Sequence, residues 1–380
     1  MSLAAEAEPM SMVQAQNRKG LNLSRGIRPC ERRDFEQITK LYRQILLTRG
    51  QPHDHGLTSF LKQIYLDNPW ANEKCPSLVF EEGGMVKGFL GVIPRKMKFH
   101  GDPITVAVSS SLMVEADQSG KRNPIAGINL LRCFLAGEQD LSITDTANDI
   151  TRALWTSSGG STAYPYCYAW TRPLKPLHTC LELGVSSPLI RGMATPVVRA
   201  SDWLLRNLPS LKPDRPGCQV KDIDTAGLLA LSKALPRQAI MPDYDLDSLE
   251  WLIMMAEQSE SEGTLAKREV QTTDGRTLGW YVYYRNRNGI GRVLQLAALP
   301  RSMDVVLDCL IYEASQEGLA ALMGRAEPHG ASLLNDRHCF FRGRSWFLVH
   351  SPEPEIIHAF QNADAFFSGF DGEHWMRVNA

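Results

Sequence analysis

Strand-like and helix-like stretches alternate between residues 104 and 160, and this order constrains the fold more than any other feature of the sequence. Ile104 to Glu115 is a long β-rich segment, and Leu141 to Thr144 is a short apolar run typical of a strand. Apolar spacing predicts a helix between them, from Pro124 to about Ala136, and another from Asn148 to about Ser157. Strands that alternate with helices favour an α/β fold built on a mixed sheet.

The predicted elements on either side extend this pattern over the first half of the chain. A strand at Gly26 to Pro29 precedes a helix, and a polar stretch rich in turn residues then leads to a hairpin of Ser77 to Glu82 and Val86 to Lys98. Ala163 to Thr171 is predicted as a further strand. Its alternating aromatic residues would share one face of the sheet, and they are Tyr164, Tyr166, Tyr168 and Trp170.

The second half repeats this arrangement. Strands are predicted at 219–223, 265–272, 278–284, 292–299 and 319–324, and helices at 225–235, 248–256 and 303–316. Both hairpins share a turn glycine and, four residues later, a glycine followed by an aromatic residue; these are Gly84, Gly88 and Phe89, then Gly275, Gly279 and Trp280. The matching order predicts two copies of one fold in tandem.

The length of 380 residues agrees with two domains. Residues 208–217 carry three prolines and a glycine, a composition typical of an extended linker. We therefore expect a flexible leader at 1–22, a first domain at 23–172, a connection and linker at 173–217, and a second domain at 218–380.

The overall composition excludes several classes of protein. A net charge of −1 gives no general attraction to nucleic acid or to an anionic membrane, so neither is expected as a partner. The eight cysteines have no regular spacing, which favours reduced thiols over a disulfide framework, and no metal site is expected. Without a signal-like or membrane-spanning apolar run, the sequence predicts a cytoplasmic protein.

The start of the helix at Pro124 is the strongest candidate for a binding site. Asn123 is a favoured N-cap and proline suits the first helical position. The backbone N–H groups of the first turn would attract a phosphate, which Lys121 and Arg122 could also contact. A capped helix preceded by two solvated basic residues explains the same pattern without any ligand.

Strand, basic loop, helix, strand and helix in this order resemble the acyl-CoA-binding core of the GNAT acetyltransferase superfamily. Arg122, Gly127 and Leu130 match that family's phosphate-loop signature, with Ile125 in place of its first glycine. Asn148, Trp155 and Gly159 match its next landmark in spacing, although the family usually has tyrosine at the position of Trp155. The resemblance covers residues 25–172.

The resemblance implies two tandem GNAT-like folds, with acetyl-CoA or another acyl-CoA bound by the first. The cofactor-binding residues it implies are Met113, Val114, Lys121, Arg122, Ile125, Ala126, Gly127, Ile128, Asn148 and Trp155. It further implies that an acceptor amine or hydroxyl attacks the thioester in a gap between the strands at 109–115 and 141–145. Glu115 and Asp145 are the nearest candidate bases by position, although a solvated or structural role is favoured for either one alone.

The second half keeps the layout but lacks the phosphate loop. Only Pro300 to Ser302 lies between the strand predicted at 292–299 and the helix predicted at 303–316. The second half is expected to support the first domain or to bind the acceptor, an amino sugar or another amine, in a cleft between the domains. Two alternatives remain open: an acyl-CoA-binding protein without catalysis, and transfer from aminoacyl-tRNA, which the near-neutral charge disfavours.

Overall fold

The computed structural model describes residues 26–47, 56–116, 123–185, 187–205, 213–259, 262–286, 289–343 and 345–376. In the first half the elements are β1 (Ile27–Pro29), α1 (Phe35–Ile45), α2 (Leu57–Tyr65), β2 (Leu78–Glu82), β3 (Met85–Phe99), β4 (Asp102–Val114), α3 (Pro124–Leu135), β5 (Leu141–Ala147), α4 (Asp149–Ser157), β6 (Ser161–Thr162), β7 (Tyr168–Pro173), α5 (Pro176–Gly184) and α6 (Pro188–Leu205).

The second half continues this numbering. Its elements are β8 (Cys218–Asp222), α7 (Thr225–Ser232), β9 (Ile240–Pro242), α8 (Leu246–Glu257), β10 (Thr264–Thr272), β11 (Thr277–Arg285), β12 (Ile290–Ala298), α9 (Met303–Gln316), β13 (Ala321–Arg325), α10 (Ala331–Asp336), β14 (Phe340–Gly343), β15 (Trp346–His350) and α11 (Pro354–Gln361).

These strands form two mixed sheets of the same design. The first has the order β1-β2-β3-β4-β5-β15-β6, with β9 beside β3, and the second has the order β8-β10-β11-β12-β13-β7-β14. In each sheet the fourth and fifth strands are parallel, and the other pairs of the main path are antiparallel. The predicted mixed α/β fold with two similar halves is confirmed.

The two halves exchange one strand each. β7 belongs to the first half of the chain but pairs with β13 in the second sheet, where Thr171 faces Met323. β15 belongs to the second half but pairs with β5 in the first sheet, where Val349 faces Ile143. The division of the chain near residues 172 and 217 therefore stays a prediction, because each sheet is completed by the opposite half.

The shared glycine–aromatic signature has a structural reason. Gly88 pairs with Val114 on β4, and Gly279 pairs with Ala298 on β12. A Cβ atom on Gly88 would lie 3.1 Å from the side chain of Leu130 in α3, and one on Gly279 would lie 2.9 Å from Val306 in α9. Each glycine thus lets the helix that follows the fourth strand lie close against the sheet.

The apolar core has three parts. One combines residues of both sheets with residues of the helices α1, α2 and α8 that pack on them, and it includes Phe89, Ile143, Trp280 and Phe367. Another lies under α9, on the far face of the second sheet. The third lies under α3 and α4, on the far face of the first sheet, where Trp155 is buried. The first of these clusters is the largest, so burial of apolar area joins the two halves of the protein.

Three local predictions are wrong. Residues 57–65 form α2 instead of a turn-rich stretch, because Leu57, Leu61 and Ile64 lie on one buried face. Tyr164–Tyr166 form a 3₁₀ turn, so the aromatic residues from 164 to 170 do not share one strand face. Cys218 and Cys309 form a disulfide bond where α9 packs against β8, although reduced thiols were expected.

Candidate active site

The central feature of the first sheet is an opening between β4 and β5. Their parallel ladder joins residues 106–108 to residues 141–143. Beyond it β4 continues to Val114 and β5 to Ala147, and no further pair joins these two described strands. A bulge near Ser111, whose φ is +55°, bends β4 at this point. We call the opening between residues 109–114 and 144–147 the first gap.

The N-terminus of α3 follows β4 at the mouth of the first gap. The Asn123 side chain accepts hydrogen bonds from the backbone N–H groups of Ile125 (3.1 Å) and Ala126 (3.3 Å). Two of the amides predicted to face a phosphate are therefore bonded to the cap. Lys121 and Arg122 lie outside the described residues.

Gly127 is the residue of α3 that leaves room beside β4. A Cβ atom built on it would contact only the Val114 side chain within 4 Å, at 3.6 Å. Its neighbours differ in solvent exposure: Ala126 is buried, Ile128 is half-buried and Ile125 is 65% exposed. The helix start thus places two small, buried residues, Ala126 and Gly127, toward the end of β4.

The backbone amides at the end of β4 point in opposite directions. The Glu115 N–H donates to the Lys87 carbonyl at 2.8 Å, so Glu115 and Lys87 form a hydrogen-bonded pair across β3 and β4. Such pairs recur every second residue in an antiparallel ladder, which directs the Met113 amide toward β3. The Val114 amide is then directed away from β3, toward the first gap.

The residues of the second predicted landmark belong to α4. Asn148 is its N-cap and accepts a hydrogen bond from the Thr151 amide at 2.9 Å. Trp155 is 1% exposed, and its ring packs against Phe134 with centroids 6.1 Å apart. Trp155 therefore occupies the core between α3 and α4, and its indole N–H offers no readily lost proton.

The two predicted carboxylates differ sharply in environment. Glu115 is exposed just beyond the end of β4. Asp145 is fully buried on β5, where it forms an ion pair with Arg325 and accepts a hydrogen bond from the Glu373 amide at 3.0 Å. Asp145 is thus already paired within the protein and joins the first sheet to β13 of the second.

Glu373 places a third carboxylate beside the first gap, which the sequence interpretation did not include in the site. It is completely buried, and its Oε1 accepts hydrogen bonds from the hydroxyls of Thr144, at 2.7 Å, and Thr146 on β5. Both threonines lie on the part of β5 that has separated from β4. The carboxylate is consequently held at the β5 side of the opening.

Tyr65 of α2 marks the opposite side of the gap. Its hydroxyl is hydrogen-bonded to Ser110 (3.1 Å) and Ser111 (2.9 Å) at the bulge of β4. Burial raises the pKa of Tyr65, and the negative charge of Glu373 raises it further, so the phenol stays protonated. These groups form a polar cluster of hydroxyls and one carboxylate around the first gap.

Comparison with known proteins was made at the level of sequence and of structure. No family model and no curated protein matches the sequence significantly. A GCN5-related N-acetyltransferase from Anabaena variabilis, 12% identical, matches 85% of this chain and 71% of that protein with a TM-score of 0.55. A conserved protein of unknown function from Enterococcus faecalis, described as a probable N-acyltransferase, is 11% identical, with shares of 86% and 72% and a TM-score of 0.56.

A third matching structure contains a bound acyl-CoA. Saccharomyces cerevisiae N-myristoyltransferase with bound myristoyl-CoA is 13% identical and matches 92% of this chain and 85% of that protein, with a TM-score of 0.50. Together with the paired sheets and the parting of their fourth and fifth strands, these matches decide the architecture. The chain has the GNAT fold. The resemblance proposed from residues 25–172 is confirmed at this level and extends over both halves.

The last described segment of the chain, residues 366–376, lies across both sheets. The Phe370 amide donates to the Leu294 carbonyl on β12 at 2.8 Å, and Glu373 reaches Thr144 on β5. A Cβ atom on Gly372 would lie 2.3 Å from Asp145 Oδ2, so the segment passes β5 at a distance that only glycine allows. We call residues 366–376 the C-terminal segment.

The second sheet has a corresponding opening. The parallel ladder of β12 and β13 covers residues 290–293 and 321–324; β12 then continues to Ala298, paired with β11 but no longer with β13. A cavity of about 360 Å³ lies here, bounded by β12, the residues after β13 and the C-terminal segment. Glu327 is part of its wall, and burial raises the pKa of Glu327 to about 8. We call this opening the second gap.

Two further properties bear on the chemistry. Within the described residues, no three His, Cys, Asp or Glu side chains are grouped in a way that would hold a metal ion. No helix in the same part of the chain is both long and apolar enough to cross a membrane.

Sequence reasoning missed Tyr65, Thr146, Glu373 and Glu327 as site residues. Tyr65 could have been found from the period of Leu57, Leu61 and Ile64, which places it on the buried face of a helix. No local pattern marks Glu373 or Glu327, because their positions depend on contacts between distant parts of the chain.

Proposed function

We propose that this chain is an N-acyltransferase that moves an acyl group from acyl-CoA to a small amine by direct attack on the thioester. The observation that carries the proposal is the first gap, which opens beside the N-terminus of α3 where Gly127 leaves space next to Val114. The names of the matched structures, an N-acetyltransferase, a probable N-acyltransferase and an N-myristoyltransferase, support the same type of reaction.

The coenzyme would enter along the start of α3. Because Asn123 already bonds the amides of Ile125 and Ala126, we assign the diphosphate mainly to Lys121 and Arg122, with the pantetheine arm passing Gly127. The thioester would then lie in the first gap, with its carbonyl oxygen near the Val114 amide. A fixed backbone donor at that point stabilises the negative charge that develops on the oxygen during attack.

The attacking amine must lose a proton, and Glu373 is the carboxylate that the structure holds beside the gap. We assign it as the general base, ahead of the sequence candidates Asp145, which is paired with Arg325, and Glu115, which is exposed. In the step, the amine nitrogen bonds to the carbonyl carbon, the carbon–sulfur bond breaks, and the nitrogen's proton passes to Glu373. A proton from solvent then converts the released thiolate to the free thiol.

The lining of the gap supports a short acyl group. Ser110, Ser111 and Glu373 are polar, whereas a long acyl chain needs an apolar channel to offset the loss of its own hydration. We therefore propose acetyl-CoA as the donor, and an amino sugar or another small amine as the acceptor.

A second candidate function is acyl-CoA binding without catalysis. Its specific support is Trp155, which fills the position of the usual family tyrosine and is buried in the core. A protein of this kind binds acetyl-CoA but never releases free CoA in the presence of an amine.

The deciding experiment is calorimetric titration with acetyl-CoA and myristoyl-CoA, followed by a thiol-release assay with a panel of amines. We expect saturable binding of acetyl-CoA that Gly127→Asp abolishes and Arg122→Ala weakens, with thiol released only when an amine is present. An exposed substitution on α11, Glu355→Gln, serves as the control. Binding without thiol release favours the second candidate, and folded protein that binds neither donor contradicts both.

A further inference from the structure

The second gap contains a partly open, mainly apolar space that the proposed donor site does not use. Its volume is about 360 Å³, enough for a small organic molecule. Much of its wall comes from large side chains that are buried or partly buried, namely Trp170, Leu294, Leu296, Leu307, Leu334 and Phe366. A cavity with such walls favours a ligand with an apolar body.

One carboxylate interrupts this apolar wall. Glu327 follows β13 by two residues and is bordered by Arg325 and Asp371, whose charges act on it in opposite directions. Arg325 is already paired with Asp145, and Asp371 is bonded to Tyr244 and Ser368. The remaining charged groups of the cavity, Arg237, His329 and Asp364, are exposed and so lie toward solvent.

We propose that the second gap is a binding pocket for an organic amine with an apolar body, and that Glu327 holds the amino group. A carboxylate in an apolar wall is costly to ionise alone, and an ammonium group compensates it with a charge-assisted hydrogen bond. An acid would place two carboxyl groups together, which disfavours it. A phosphorylated ligand is disfavoured too, because the connection Pro300–Ser302 supplies no glycine-rich phosphate loop.

The position of this pocket connects it to the donor site. The C-terminal segment contributes Phe366 and Gly369 to the pocket and, four residues after Gly369, Glu373 to the first gap. Only the step from bound amine to acylated product rests on the proposed function; amine binding at Glu327 does not. The inference therefore names the class of ligand that the second half of the protein selects.

The test uses two probes with the same phenylethyl skeleton and opposite charge, 2-phenylethylamine and 3-phenylpropionate, titrated into the full-length protein. We expect saturable binding of the amine and at least tenfold weaker binding of the acid. Glu327→Gln, which keeps the size and removes the charge, should weaken amine binding by about ten- to a hundredfold. Glu355→Gln, an exposed carboxylate of α11, should leave it unchanged.

Two additional measurements separate a pocket from a surface effect. Gly330 lies in the cavity wall with nothing within 4 Å of a built Cβ, so Gly330→Phe should fill the space, block the amine and leave the protein folded. Titration in buffers of different ionisation enthalpy should show proton release on amine binding at pH 7, absent in Glu327→Gln.

Equal binding of both probes, or amine binding that Glu327→Gln does not weaken, would overturn the inference. The same holds if the amine shows no saturable binding at all. If the amine binds as expected but no thiol is released from acetyl-CoA, the pocket stands and the transferase proposal alone fails.

Discussion

Asp145 and Arg325 hold the same position in the two sheets and are bound to each other. The first parallel pair of each sheet is Val106 with Leu141 and Ile290 with Ala321, and each charged residue lies four positions after the second member of its pair. Their ion pair is buried from both sides, with side-chain exposures of 0% and 3%. The two copies of the fold are therefore joined at matching points by opposite charges.

Removing one member of this pair should destabilise the protein strongly. Arg325→Met leaves the Asp145 carboxylate buried without its partner, and we expect a loss of about 3–5 kcal/mol in the free energy of unfolding. The double variant Asp145→Asn with Arg325→Met should recover much of that loss. Urea unfolding of the parent, of Arg325→Met and of the double variant measures both effects. If Arg325→Met were as stable as the parent, the ion pair of Asp145 and Arg325 would not be buried away from solvent.

Gly127→Ala should separate stability from binding. The added methyl group contacts only Val114 within the protein, and alanine favours helix over glycine by about 1 kcal/mol, so the melting temperature should stay equal or rise. Acetyl-CoA affinity should fall, because the methyl group occupies the path assigned to the pantetheine arm. Calorimetric titration and thermal unfolding are the two measurements, and unchanged affinity would place the coenzyme elsewhere.

Glu373→Gln should affect turnover far more than donor binding. The amide keeps the size of the side chain but takes up no proton, so we expect kcat to fall by about 10²–10⁴-fold with the KM for acetyl-CoA little changed. Thr146→Val, which removes one hydrogen bond to the carboxylate, should give a smaller loss. A Glu373→Gln protein with parental kcat would remove this residue from the mechanism.

Gly372→Ala should displace the C-terminal segment from β5. The new Cβ would lie 2.3 Å from Asp145 Oδ2, a distance that forces the segment or the carboxylate to move. We expect faster proteolysis near residue 372 together with reduced thiol release. Gly343→Ala is the matched control, because a Cβ atom there meets nothing within 4 Å. Equal rates of proteolysis in the two variants would show that the close approach of Gly372 to Asp145 does not hold the C-terminal segment in place.

Glu327 should make stability depend on pH. Burial raises its pKa from 4.5 to about 8 in the folded protein, against the smaller effect of Arg325. The folded state therefore holds a proton that the unfolded state has lost between these values. Its contribution to stability is present below pH 4.5 and is lost as pH rises through about 8.

Glu327→Gln removes this dependence. The melting temperature of the variant, relative to that of the parent, should be constant below pH 4.5, rise between about pH 5 and about pH 8, and level off at higher pH. A difference that does not change with pH would show that Glu327 ionises normally.

The sequence predicted most of the local structure of the first half. The apolar spacing around Asn123 and Pro124 located α3 closely, and β4, β5 and α4 were found because each carries its period within a short window. Tyr164 was misplaced because Pro165 favours a turn over a continuing strand.

The candidate site was less accessible to sequence reasoning. A strand's own residues do not specify its neighbour, so nothing in Tyr168–Pro173 or Trp346–His350 indicates that each pairs in the other sheet. Glu373 follows β5 by more than 220 residues, and its approach to Thr144 depends on the completed fold. Trp155 was placed at the right helix position, but its burial follows from how α3 and α4 pack together.

The exchange of β7 and β15 has a consequence for how the molecule assembles. The first sheet cannot be finished during synthesis until the strands of the second have been made, because the strand beside β5 follows it by about 200 residues. Contacts this distant in sequence are slow to form, so the first half must wait, incompletely covered, for the last strands to arrive. A fragment ending after β7 would lack β15, so its first sheet would have no strand beside β5.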